Sequence, residues 1–144
     1  MRRLLIATLL LVSPLQAAAQ GEPHAWLYGS WVGGTLPANP NQTVQGCYAD
    51  PTVIFTRDIV LRTTLLEQVY TQRIIESVRG TPNGVEFRFR PMPRIPGVMG
   101  SQQPTGTFGC GSPDVLPVLR RGPNEIEFPG CIEFPAPLIR CPVP

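Results

Sequence analysis

Lysine is missing from all 144 residues, histidine occurs once, and no apolar run reaches the length of a bilayer crossing. Without lysine there is no Schiff-base chemistry and no phosphate-loop lysine. With His24 alone, near the amino end, neither a Ser/His/Asp nor a Cys/His constellation can be assembled, so hydrolysis of those kinds is excluded. His24 is also a poor copper ligand for a new amino terminus, since Pro23 before it has no amide N–H. Glycine-rich phosphate loops, EF-hand patterns and C-x-x-C zinc pairs are absent as well, so no cofactor and no metal is expected. The longest apolar stretch, Leu4 to Val12, falls short of the about 20 residues that a spanning helix needs.

That stretch instead follows the basic start Met1-Arg2-Arg3 and precedes Ala17-Ala18-Ala19, the pattern of an export signal over 1–19. Cleavage after Ala19 leaves a single domain over 20–144, long enough for one core, secreted or periplasmic and not inserted in a membrane. It also removes the charge excess. Twelve basic residues less Arg2 and Arg3 leaves ten, against ten acidic ones. A neutral surface gains little from phosphate counterions, so nucleic acid is not an expected partner.

Four cysteines, Cys47, Cys110, Cys131 and Cys141, all follow the signal, and an even count in an oxidising compartment reads as two disulfides. Cys110 and Cys131 flank the open end of a hairpin expected over Val115 to Phe128, which favours their pairing and leaves Cys47 for Cys141. Cys131 with Cys141 and Cys47 with Cys110 is the alternative.

Eighteen prolines and fourteen glycines leave little room for long helices, and the class is all-β: a small antiparallel up-and-down barrel or a sandwich. Strands are expected over Trp26 to Gly33, Thr52 to Thr56 and Ile59 to Thr63. Asn83-Gly84 is expected to supply the φ > 0 residues of a hairpin turn, followed by a strand with Val85, Phe87 and Phe89 on one face. Between them, Leu66, Val69, Tyr70, Ile74 and Val78 recur at helical spacing after the capping-box form Thr64-Leu65-Leu66-Glu67. Their β-branched and aromatic content favours a strand from about Val69 to Arg79, with one short helix near 65–79 as the other reading.

The first strand carries Gly29-Ser30-Trp31, a Gly-x-Trp. With several short strands and a disulfide framework, this resembles the lipocalin-like, or calycin, barrels and the secreted bacterial metalloprotease inhibitors that share that barrel. The resemblance implies a structural role for Gly29 and Trp31, with the Trp closing one end of an eight-stranded barrel. It also implies an Arg packed on that Trp, for which Arg120 and Arg140 are the candidates.

Candidate recognition residues are Trp26 and Tyr28 near the amino end, and Met92, Ile95, Val98 and Met99 in the proline-rich segment 91–104. That segment also reads simply as a semi-rigid surface loop. The alternating charges Glu86, Arg88, Arg90, Glu125 and Glu127 read as the wet face of a sheet with cross-strand partners. Three functions follow. A carrier of a small apolar ligand requires a hollow interior of about 300 Å³ or more. An inhibitor or adaptor for an exported protein requires a filled interior and an exposed apolar patch. An enzyme, the least expected, requires a buried carboxylate in a cleft.

Overall fold

The computed structural model describes residues 21–39, 41, 43–49, 52–66, 68–92 and 106–142. After a single turn of 3₁₀ helix, Ala25–Leu27, eight strands follow: β1 (Gly29–Gly33), β2 (Val53–Phe55), β3 (Ile59–Arg62), β4 (Thr71–Thr81), β5 (Gly84–Phe89), β6 (Val115–Gly122), β7 (Glu125–Glu127) and β8 (Leu138–Arg140). Each pairs antiparallel with the next, and β8 returns to β1 with Trp31 opposite Arg140, so the sheet closes into an up-and-down barrel. Closure leaves no exposed strand edge.

Three expectations change in detail. The opening strand begins at Gly29, because Trp26 and Leu27 belong to the 3₁₀ turn. Residues 71–81 are strand, and the α-helix of the described residues, α1 (Val44–Ala49), lies instead between β1 and β2. The β4–β5 turn uses Pro82-Asn83 with no positive φ at Asn83 or Gly84. Gly84 is needed for a different reason, since a Cβ there would sit 2.0 Å from the Val118 carbonyl oxygen on β6.

Strand alternation sends Val53, Phe55, Val60, Val85, Phe87, Phe89, Leu116, Val118, Ile126 and Leu138 into the barrel, all of them buried. All six phenylalanines of the sequence join one ring-to-ring chain, Phe55–Phe87–Phe89–Phe108–Phe128–Phe134, with successive centroids 5.4–6.0 Å apart. At these spacings each ring pair adds about 0.5–1.5 kcal/mol beyond its buried area. The outward Val32 of β1 is covered too, by α1, whose Cys47 is joined to Cys141. Both Trp31 and Val32, on opposite sides of the opening strand, are therefore buried.

The second disulfide joins Cys110 to Cys131, across the open end of the β6–β7 hairpin. With the chain closed by separations of 94 and 21 residues, the loop-closure entropy removed from the unfolded state is worth about 4–5 and about 3 kcal/mol. The two bridges fit an oxidising compartment. No helix of the described residues is long and apolar enough to cross a membrane.

Candidate functional site

An up-and-down barrel gathers alternate connections at alternate ends, and here the ends differ. Tight turns at 56–58, 82–83 and 123–124 mark the amino-terminal mouth, while the strand ends at the opposite rim lead into the longer connections 34–52, 63–70, 90–114 and 128–137.

Residues 22–28 plug the amino-terminal mouth. The Trp31 indole, fully buried, donates through Nε1 to the Leu27 carbonyl at 2.8 Å. Arg140 lies over the Trp31 ring at 4.4 Å and donates to the Tyr28 carbonyl at 2.8 Å and to the Trp26 carbonyl. One guanidinium thus locks the plug to the first and last strands. Gly29 has φ +118°, a conformation that a side chain would strain, and it carries the chain from plug to strand. His24 is buried edge-on against Phe87, with Nε2 3.1 Å from the Arg57 carbonyl oxygen. The Tyr28 hydroxyl donates to Glu22, which also pairs with Arg57 at 2.7 Å. Burial and then that carboxylate push the Tyr28 phenol up to about 12, and Tyr28 followed by Arg57 holds Glu22 below its usual range.

Two buried arginines lie towards the long-loop end. Arg62 pairs with Glu133 at 2.6 Å and faces the Phe108 and Phe134 rings. Arg73 pairs with Asp114 at 2.6 Å, donates to the Pro113 carbonyl at 2.8 Å and faces Phe89 at 5.0 Å. Each charge has a carboxylate and an aromatic face, the arrangement a buried guanidinium requires. Arg62 shares the inward face of β3 with Val60, and its counter-carboxylate comes from a distant loop, which strand alternation alone does not supply.

Outside this layer lies a cleft of about 720 Å³ between the β1–β2 and β3–β4 connections, lined by Thr35, Leu36, Pro37, Thr63, Thr64 and Leu65 among others. Beside it, Leu66 is 96% exposed and Val69 79%, with Leu36 and Leu65 more than half exposed. Large aliphatic side chains are rarely left so fully in water, and Leu65, Leu66 and Val69 are close in the chain. In the sequence Leu66 and Val69 belong to an apolar stripe at helical spacing. Their exposure arises because β4 starts at Thr71 and leaves 64–70 as a connection.

The candidate recognition residues do not converge. Trp26 and Tyr28 belong to the plug, Trp26 half-buried under Arg120 at 4.9 Å. Half-buried Met92 lies at the opposite end, near Gly106. Ile95, Val98 and Met99 lie outside the described residues. Of the alternating charges, Arg79–Glu86 at 3.1 Å and Arg121–Glu127 at 2.7 Å form the expected cross-strand pairs. No group of His, Cys, Asp and Glu side chains placed to hold a metal occurs among the described residues. No protein-family model, curated protein or solved structure matches this chain.

Proposed function

We propose that this chain is an exported, non-catalytic adaptor or protease inhibitor of calycin-like architecture, which docks on a protein partner through its long-loop rim. The observation that carries this is the pairing of a filled barrel with bare Leu66 and Val69 at that rim. The stacked rings of Phe55, Phe87, Phe89 and Phe108, all buried, support a packed interior with little room for an apolar guest. The calycin-like reading is supported by Arg140 on Trp31 and by the eight-stranded antiparallel closure.

In the inhibitors this chain resembles, the amino-terminal segment enters the protease cleft. Here residues 22–28 are consumed in closing the barrel, which favours the opposite rim for docking. A photo-crosslinker at position 66, compared with one at Arg57 in the opposite turn, tests this in the exported fraction. A discrete protein adduct from position 66 and none from position 57 is expected. Equal labelling from both, or none from either, contradicts the reading.

A further inference from the structure

We infer that the amino-terminal mouth of the barrel carries a carboxylate-binding subsite, in which the guanidinium of Arg120, laid on the Trp26 indole beside a cleft of about 270 Å³, grips the carboxylate of its ligand. This lies at the end opposite the proposed docking rim and holds whether or not that rim docks.

Charge comes first. Arg57, Arg62, Arg73, Arg79 and Arg121 each meet a carboxylate within the chain. Arg88, Arg90, Arg120 and Arg140 have no carboxylate ion-paired with them among the described residues; Arg88 and Arg90 lie at the far end of β5, whereas Arg120 and Arg140 lie at the amino-terminal mouth, close enough for Arg120 to help hold Arg140 below its ordinary value, burial being the larger cause. Arg140 is committed to the Trp26 and Tyr28 carbonyls, so the ligand-facing group is Arg120. Its neighbour Arg121 turns to Glu127, whereas Arg120 continues the parity of Leu116 and Val118 and so projects over the barrel mouth.

Geometry comes second. The Arg120 guanidinium carbon lies over the Trp26 ring, 4.9 Å from its centroid, and Nε donates to the Gly122 carbonyl at 3.3 Å, which leaves the Nη groups for a two-oxygen acceptor. Pro82, Asn83 and Gly84 form the other wall of the cleft. That wall is fixed by the Arg120 amide, which donates to the Asn83 carbonyl at 2.8 Å. The cleft has room for a ring or a terminal residue and an apolar Trp and Pro surface to receive it. A small aromatic acid and the carboxyl terminus of a peptide present the same chemistry here.

The test is nitrogen-15 NMR on the disulfide-bonded chain at low salt, following the Trp26 indole and Arg120 Nε–H signals. The probes are benzoate, its neutral counterpart benzamide, and a neutral phenylalanine-terminated pentapeptide as free acid and as amide. Saturable shifts of both signals by benzoate or by the free-acid peptide are expected, with the neutral counterpart at least ten-fold weaker. Which acid binds identifies the source. Arg120→Gln, its other amide signals unmoved, weakens that binding at least ten-fold. Equal binding of acid and neutral partner, no shift with either acid, or full affinity in the folded Arg120→Gln variant overturns the proposal. If that variant does not fold, the acid-against-neutral contrast on the unaltered chain decides alone.

Discussion

Arg140 is the residue on which the plug depends. Removing its guanidinium leaves the Trp26 and Tyr28 carbonyls without their donor and uncovers the Trp31 face. Arg140→Met should therefore cost about 2–4 kcal/mol in urea denaturation, from lost charged hydrogen bonds and a lost cation–π contact. A change below half a kcal/mol would remove Arg140 from this role. Tyr28 and Glu22 make a second pair of expectations. Because the folded phenol titrates near 12 against an ordinary 10.0, its hydroxyl stabilises the fold fully below pH 10 and that contribution fades as pH rises through 12. Tyr28→Phe should flatten this alkaline loss and, by removing the donor, raise the Glu22 pKa in a carbon-13 titration. An unmoved Glu22 would contradict the hydrogen bond. At this scale Gly29 and Trp31 were legible from their motif. The choice between Arg120 and Arg140 was not, since it depends on β8 closing against β1.

For the strands and turns, alternation carried most of the information. Val85, Phe87 and Phe89 point inward as their period requires, and Arg79–Glu86 and Arg121–Glu127 lie across neighbouring strands. What alternation could not supply was the purpose of Gly84. It faces the Val118 carbonyl across the β5–β6 pair, so Gly84→Ala must push the two strands apart, at a cost of about 1–3 kcal/mol. Gly80, in the neighbouring β4, has nothing within 4 Å of an added Cβ and no positive φ. Gly80→Ala should be neutral or stabilising by up to about 1 kcal/mol. Thermal unfolding of the two variants side by side checks the contrast, and equal effects would contradict the close approach. The stripe from Leu66 to Val78 left two readings open, and the favoured strand is the one that forms, over Thr71–Thr81. Helical and strand periods both fit a short apolar run, and the pairing of Thr71 to Ile74 with β3 settles it.

Across the whole molecule, the sequence pointed to a small barrel or a sandwich with two bridges, and left closure and the state of the interior open. The latter depended on whether six scattered phenylalanines, one of them on the 90–114 connection and two on the 128–137 connection, would turn inward together. They do, and two arginines with their carboxylates fill the space towards the long-loop end. Replacing Cys47 and Cys141 together by serine should cost about 2–5 kcal/mol in denaturant while leaving the barrel closed, because α1 packs outside the sheet. Loss of all strand signal under native conditions would instead make that bridge essential to folding. The central claim, a filled barrel that docks rather than carries, is tested most directly by native mass spectrometry of the chain purified from the exported fraction. The expected mass is that of residues 20–144 less the four hydrogens lost to the two disulfides, with no adduct. A stoichiometric apolar molecule retained in that species would show that the interior opens for a guest.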